Sequence, residues 1–249
     1  MDVLIIAERV SKRFDIHHNR AYALKTRILG TIYKRYRPRV EEFWALRDVS
    51  LTVGRGEAVG LVGRNGSGKS TLLKLIAGIH RPSSGRVLVR RGAKIGTMIE
   101  LGVGFHPELT GRENVYLNAS VYGLGRPAVD RIFDSVVDYS EIEQFIDEPI
   151  KNYSSGMVVR LAFAVAAHLD PEVMLLDEIF AVGDEAFQEK CRGTMERFVK
   201  EGRTIVFVSH SAQTVEQICN RVCVLSGGRK VFDGPTKQGL AFYHDTVMG

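Results

Sequence analysis

Four short apolar runs, separated by more polar stretches, dominate the hydrophobic pattern of the chain. They cover residues 58–62, 87–89, 173–176 and 204–208. Continuous apolar runs of this length are typical of strands that are buried on both faces. Helical stretches separate several of these runs, and such alternation favours a mainly parallel sheet with helices on its faces. The pattern therefore predicts an α/β fold.

Two further segments extend this picture. Residues 114–138 are rich in helix formers and are interrupted by Gly-Leu-Gly-Arg-Pro at 123–127, which indicates a helical insert. The N-terminal stretch MDVLII has an acid at position 2 and only a short apolar run, so it predicts a first strand instead of a secretory signal. No run approaches about 18 consecutive apolar residues. We therefore expect no transmembrane helix, and a chain that stays in the cytosol unless a partner holds it at a membrane.

A basic segment at residues 19–43 differs from the rest of the chain. It carries seven lysines and arginines between residues 20 and 39, and Leu24, Ile28 and Ile32 fall among them at helical spacing. The segment is either a solvated basic face or a surface that faces a membrane or a partner. The net charge of +5 is compatible with nucleic acid, an anionic membrane surface or phosphorylated ligands.

The three cysteines are Cys191, Cys219 and Cys223, an odd number without a C-x-x-C pair. We expect all three to be reduced packing residues.

The stretch GRNGSGKST, residues 63–71, fits the phosphate-binding pattern G-x-x-x-x-G-K-S/T, with an apolar run before it and a helical run after it. Glycines let such a loop turn its N–H groups toward phosphate oxygens, and the following helix start adds a partial positive charge. Lys69 is expected to reach the β- and γ-phosphates, and Ser70 to bind Mg²⁺. The expected ATP-binding residues in this loop are Gly63, Arg64, Asn65, Gly66, Ser67, Gly68, Lys69, Ser70 and Thr71.

The remaining metal-binding and catalytic candidates lie at the ends of two later apolar runs. Asp177 ends the run VMLLD and can hold Mg²⁺ through water. Glu178 follows it at once and can orient the attacking water and accept its proton. His210 follows the run TIVFVS, where it can contact the γ-phosphate and the attacking water. Glu178 and His210 are therefore our candidate catalytic residues.

Together these motifs resemble the nucleotide-binding subunits of ABC transporters over nearly the whole chain. That family has a signature Leu-Ser-Gly-Gly-Gln ahead of a helix, shortly before the LLDE run. Here the five positions read Tyr-Ser-Ser-Gly-Met, residues 153–157. The resemblance implies a P-loop NTPase (RecA-like) fold with a mainly parallel sheet core, an antiparallel β subdomain and a helical signature subdomain.

The resemblance also implies how a single domain at 1–249 is divided. The catalytic core with the β subdomain would cover about 1–98 and 168–235, and the Q-loop and helical subdomain about 99–167. Residues 236–249 would form a C-terminal tail. We expect no C-terminal carbohydrate-binding domain.

Further site residues follow from the resemblance alone. Ser154, Ser155 and Gly156 would contact the ATP held by the opposite chain, so the functional unit would be a homodimer that binds ATP and Mg²⁺. Three further residues have expected roles. Phe14 would stack on the adenine, Asp184 would contact the opposite chain, and Glu100 would bind Mg²⁺. Glu100 stands where the family has a glutamine, and it adds a negative charge beside the phosphates.

One branch of the family matches best. The stretches ELGVGFHPELTGREN and LLDEIFAVGDEAFQEKC, together with the altered signature, resemble the ATPase subunit of exporters for lipid-linked polysaccharides. Their cargoes include O-antigens, capsules, galactan and teichoic acids. The resemblance implies a peripheral subunit on the cytoplasmic face of the inner membrane, bound to an integral membrane permease, with no nucleic acid expected. A soluble ABC ATPase acting on nucleic acid or the ribosome, and an ABC-type regulatory module, remain alternatives.

Overall fold

The computed structural model describes residues 2–18, 39–99, 104–177, 184–209 and 211–248. The predicted amphipathic helix around Leu24, Ile28 and Ile32 lies outside these ranges. Residues 39–43, the end of the basic segment, form part of a strand.

The described residues form nine strands in two sheets. The strands are β1 (Val3–His18), β2 (Arg39–Gly54), β3 (Ala58–Val62), β4 (Ser84–Val89), β5 (Ile95–Met98), β6 (Val173–Asp177), β7 (Thr204–Val208), β8 (Arg221–Ser226) and β9 (Arg229–Pro235). The α-helices are α1 (Lys69–Ile76), α2 (Gly111–Val121), α3 (Arg126–Ser140), α4 (Ser155–His168), α5 (Glu185–Lys200), α6 (Ala212–Ile218) and α7 (Thr236–Phe242).

The larger sheet has the strand order β5-β6-β7-β3-β8-β9. Every pair in it is parallel except β8 with β9. Strands β3 and β7 are buried along their whole length, as their unbroken apolar sequences predict. The predicted α/β fold with a mainly parallel core is therefore confirmed, and the apolar runs at 58–62, 173–176 and 204–208 are central strands.

The smaller sheet is antiparallel, with the order β2-β1-β4. Residues 87–89 lie in its edge strand β4, and our prediction that they form a buried strand was wrong. Leu88 is 44% exposed, whereas Val87 and Val89 are half-buried. Only one face of this sheet packs against the core, so alternate side chains of an edge strand face solvent.

Helices α2, α3 and α4 enclose a hydrophobic cluster of their own. Its buried members include Val115, Phe133 and Leu161, one from each helix. The helical insert predicted at 114–138 is confirmed as α2 and α3, and the helices are separated near the predicted break at 123–127. Within the described ranges, no helix is both long and apolar enough to cross a membrane.

Residues 236–248, in the segment expected to form a C-terminal tail, are helical. Helix α7 continues into a π-helical turn at Tyr243–Met248. Leu240 and Phe242 pack against a hydrophobic cluster on one face of the large sheet, whose buried members include Phe207 and Val222. The three cysteines are buried and free, as predicted.

Candidate functional site

Strand pairing brings the phosphate-binding loop and Asp177 to the same edge of the large sheet. Strand β7 lies between β6 and β3, and Val208 pairs with both Asp177 and Leu61. The loop begins directly after β3, and neighbouring strands are about 4.8 Å apart. Asp177 is therefore about two strand spacings from the start of the loop, at the carboxyl ends where α/β sheets bind ligands.

The loop at residues 63–68 closes into a tight turn ahead of α1. Ser67 donates its backbone N–H to Arg64 O at 3.1 Å, and Gly68 occupies the N-cap of α1. Gly68 has a φ of 105°, and a Cβ there would lie 2.6 Å from Ala45 O. The position therefore requires glycine. Since glycine has no side chain to cap α1, the first N–H groups of the helix are available to an anion.

The side chain of Lys69 folds back into this loop. Its Nζ donates to Gly63 O at 2.8 Å and to Arg64 O at 3.1 Å, although the residue is only 5% exposed. These bonds hold the ammonium group inside the turn of the loop. Ser70 and Thr71 follow in the first turn of α1 and are half-buried, whereas Arg64, Asn65 and Gly66 are exposed.

Ser67 supplies an independent test of whether the loop fits a phosphate ligand. Its Oγ is buried and has no hydrogen-bond partner within the described part of the chain. An unpaired buried hydroxyl costs about 1–3 kcal/mol, so native proteins seldom retain one without a reason. The unpaired hydroxyl, the ammonium group and the uncapped helix start together suit an anionic ligand such as a nucleotide triphosphate.

The signature residues lie at the start of α4. Ser154 is the N-cap, and its Oγ accepts from Met157 N at 3.2 Å. Ser154 and Ser155 are exposed, and the first turn contains no acid. This helix start therefore offers N–H groups and hydroxyls to a ligand from outside.

Arg160, which was not among the candidate residues, holds the start of α5 to α4. Asp184 is the N-cap of α5 and accepts from Phe187 N at 2.9 Å. Its other oxygen pairs with Arg160 of α4, which also donates to Glu141 at 2.9 Å. The bond from Phe187 N, more than the nearby Arg160, holds the pKa of Asp184 below its ordinary value. Arg160 is a charged residue within the apolar run that follows the signature. This unusual position is the only sequence signal that could have indicated its role.

Phe14 lies on β1, opposite Phe43 of β2. Its half-buried ring meets His80 edge-on with the ring centroids 5.7 Å apart, and Lys12 Nζ lies 5.0 Å from the Phe14 centroid. The ring of Phe14 thus contacts two polar neighbours.

Three of the candidate residues, Glu100, Glu178 and His210, lie outside the described residues. In the described part of the chain, no three His, Cys, Asp or Glu side chains cluster as a metal site. Mg²⁺ in nucleotide sites commonly has only one or two protein ligands, so such a cluster is not required.

The parallel sheet, the loop and the adjoining acid define a P-loop nucleotide-binding protein. The family model for the ABC transporter matches residues 46–181, and the chain belongs to this family.

Similar proteins agree with this assignment. The chain is 44% identical to the O-antigen export system ATP-binding protein RfbB of Klebsiella pneumoniae over 247 residues, covering 99% of this chain and 100% of that protein. It is 36% identical to the teichoic acids export ATP-binding protein TagH of Listeria innocua, covering 99% of this chain and 71% of that protein. A solved dimeric ATP-binding cassette in a post-hydrolysis state, bound to ADP and Pi, superposes with a TM-score of 0.73 at 22% identity, covering 94% of this chain and 99% of that chain.

The resemblance inferred from the motifs is thus confirmed at the level of the family, and the fold is that of an ATP-binding cassette. The chain is an ATP-binding, ATP-hydrolysing protein of the ABC type.

Proposed function

We propose that the chain is the ATP-hydrolysing subunit of an exporter that moves a lipid-linked polysaccharide across the cytoplasmic membrane. Two copies would close head-to-tail on two ATP molecules. Each ATP would contact the loop at residues 63–71 of one copy and the start of α4 of the other. The observation that carries this proposal is an exposed signature helix start in a chain that also holds a complete phosphate-binding loop.

The surroundings of Gly156 support a ligand outside the chain. A Cβ at this position would meet Ser154 Oγ at 3.8 Å, which is an ordinary contact. The fold of a single chain therefore does not demand glycine here. A backbone that must approach a phosphate closely does demand it. Ser154, Ser155 and Gly156 would accordingly bind ATP in trans.

Hydrolysis would use the residues at the carboxyl ends of β6 and β7. Lys69 would bind the β- and γ-phosphates, and Glu178 would orient the attacking water and accept its proton. His210 would contact the γ-phosphate. Ser70 and Asp177 supply the oxygen ligands that Mg²⁺ prefers, and the ion would neutralise charge on the phosphates.

The remaining assignments concern the edges of the site. Phe14 would stack on the adenine, and the contacts with His80 and Lys12 would keep its ring in place. Asp184 would contact the opposite copy across the dimer. Glu100 would act as a further Mg²⁺ ligand in place of the family's glutamine.

The substrate and partner assignments rest on the whole-length likeness to an O-antigen export subunit. An integral membrane permease would bind the helical insert and residues 101–114, which contain the loop at 104–110. The chain would then lie on the cytoplasmic face of the inner membrane, and opening and closing of the dimer would drive the permease. The polymer would be of the O-antigen, galactan, capsule or teichoic acid type.

Mixed dimers test the shared site. Lys69→Ala disables the loop of one copy, and Ser154→Ala disables the signature of the other. Each variant alone should be nearly inactive, whereas a mixture forms dimers that contain one site with both halves intact. We expect ATPase activity to return on mixing. Activity that simply averages the two inactive proteins would contradict the shared site.

Co-expression tests the partner and substrate. The chain is produced with a candidate integral membrane permease, and the complex is purified and reconstituted. We expect copurification and ATPase activity stimulated by the lipid-linked glycan. Failure to copurify, together with salt-dependent nucleic-acid binding, would favour a soluble ABC ATPase instead.

A further inference from the structure

Tyr153 stands where the signature of the family has leucine, and its hydroxyl makes a specific bond. The ring packs against the cluster formed by α2, α3 and α4. Its Oη donates to Phe145 O at 2.6 Å. Burial, with smaller contributions from Asp147 and Glu148, raises the pKa of Tyr153 to about 12, so the hydroxyl stays protonated as a donor at neutral pH. A leucine could fill the ring's place but could not make this bond.

Gly111 provides the room for that hydroxyl. A Cβ at Gly111 would overlap the Tyr153 hydroxyl, and it would lie 3.0 Å from Ile146 O and 3.1 Å from Ile146 Cδ1. Gly111 is the first residue of α2 and lies far from Tyr153 in sequence. The glycine and the tyrosine are therefore complementary in shape across two separate segments.

These two segments form a clasp, which we define as residues 107–112 and 145–153. Backbone N–H groups of Gly111 and Arg112 donate to Glu148 O at 3.1 Å and Ile146 O at 2.8 Å. In the other direction, Ile150 N donates to Leu109 O at 3.0 Å. The exchange satisfies N–H groups at the start of α2 that the helix itself leaves free.

Two ion pairs close the clasp at its surface. Arg112 pairs with Asp147 at 2.6 Å, and Lys151 pairs with Glu108 at 2.6 Å. The hydrogen bond from each cation holds the pKa of the partner carboxylate below its ordinary value. These exposed pairs add modestly to the clasp, so its specificity depends on the backbone bonds and on the fit of Tyr153 to Gly111.

We propose that Tyr153 and Gly111 form an interlock that positions Ser154 for the ATP of the opposite copy. Ser154 follows Tyr153 directly and caps α4, so a displacement of the tyrosine displaces the start of the helix. The other half of the clasp includes residues 107–110 of the loop at 104–110, which our proposed function directs toward the membrane subunit. Tyr153 is thus a positioning residue that joins the transport face to the signature. This inference rests on the proposed function, because it presupposes ATP bound between two copies.

Three variants test the interlock in the full chain. Tyr153→Phe removes only the hydroxyl, and Gly111→Ala forces a clash with that hydroxyl. The double variant relieves this clash and keeps only the tight contacts with Ile146. Tyr116→Phe is the matched control, because this tyrosine of α2 also donates its hydroxyl, to Asp130 at 2.6 Å, but lies outside the clasp. ATPase rates are measured over a range of ATP concentrations, and nucleotide affinity is measured separately on the isolated chains.

The expected results separate kcat from binding. Loss of one hydrogen bond predicts a kcat about 2- to 10-fold lower in Tyr153→Phe, with ATP affinity of the isolated chain unchanged. The kcat of Gly111→Ala should be lower still. The kcat of the double variant should return toward that of Tyr153→Phe alone. Tyr116→Phe should keep the wild-type kcat. A wild-type kcat for Tyr153→Phe, or a double variant no better than Gly111→Ala, would overturn the interlock.

Mixing with the Lys69→Ala chain distinguishes positioning in trans from general damage. The Lys69→Ala chain has an intact signature, so it should complete a site with the loop of the Gly111→Ala chain. Activity should therefore rise on mixing. If ATPase activity fails to return both in this mixture and in the control mixture of Ser154→Ala with Lys69→Ala, the shared site itself is wrong. If Ser154→Ala recovers and Gly111→Ala does not, only the interlock is wrong.

Discussion

Asn114 should hold the first half of the clasp together from inside the helical region. The residue is fully buried on α2. Its Oδ1 accepts from His106 N at 2.6 Å. Its Nδ2 donates to Leu109 O at 3.0 Å and Thr110 O at 2.9 Å, and it also faces His106 O at 3.1 Å. One amide side chain therefore fixes the loop at 104–110 from several sides.

The cost of Asn114→Ala can be estimated from these bonds. An amide nitrogen has two hydrogens, so its three acceptors share two bonds, and the accepted bond makes a third. At about 1 kcal/mol net for each bond, the loss is roughly 3 kcal/mol. For a chain of this size, each kcal/mol lowers the melting temperature by about 2–4 °C, so the expected drop is roughly 6–12 °C. The small cavity left by the missing side chain would add to the loss.

Thermal unfolding and hydrogen exchange measure this effect. The control is Asn152→Ala, which truncates an exposed asparagine in the other half of the clasp. In Asn114→Ala, amides at 104–112 and 145–153 should exchange faster, while those of β3, β6 and β7 should keep their protection. Equal melting temperatures for Asn114→Ala and Asn152→Ala would refute the reasoning.

Other parts of the structure give three further predictions. Gly68→Ala combines a positive φ with a clash at Ala45 O, so calorimetry should find ATP binding weaker by roughly tenfold or more; unchanged affinity would mean that the loop accommodates a Cβ. Burial by itself raises the pKa of Asp233, but hydrogen bonds from Arg221 and a neighbouring lysine outweigh it and leave the pKa below its ordinary value. The resulting stabilisation is present above the ordinary carboxyl pKa and is lost as pH falls through the folded one, so Asp233→Asn should lower stability by about 1 kcal/mol at pH 7 and by less in acid; a constant difference across pH would contradict this. Burial raises the pKa of all three cysteine thiols to about 12, so a thiol reagent at neutral pH should label none in the native chain and all three after denaturation.

Much of the site follows from local sequence because its parts are local. The spacing of Gly63, Gly68 and Lys69 dictates a loop that turns around an anion, and the apolar strand before it anchors that loop in the sheet. Asp177 could be placed for the same reason, since an acid that ends a buried parallel strand must lie at the carboxyl edge of the sheet.

The clasp could not be predicted in this way. The contact between Gly111 and Tyr153 joins residues that are distant in sequence, and neither residue type indicates its partner. Asn114 and Arg160 were overlooked for a similar reason. A buried amide or guanidinium group is recognisable only after the fold has brought its partners together. The interpretation of residues 87–89 failed differently, because a short apolar run cannot reveal whether its strand is central or at an edge.

ATP-dependent association of the Glu178→Gln chain tests the central claim most directly. The variant keeps the loop and the signature but lacks the proposed base, so ATP should bind and persist. With ATP, light scattering should report a species of twice the 27.7 kDa chain mass, and with ADP it should report the single chain. Ser154→Ala in the same background should weaken the dimer. A Glu178→Gln chain that binds ATP yet stays at 27.7 kDa would contradict a nucleotide shared between two copies.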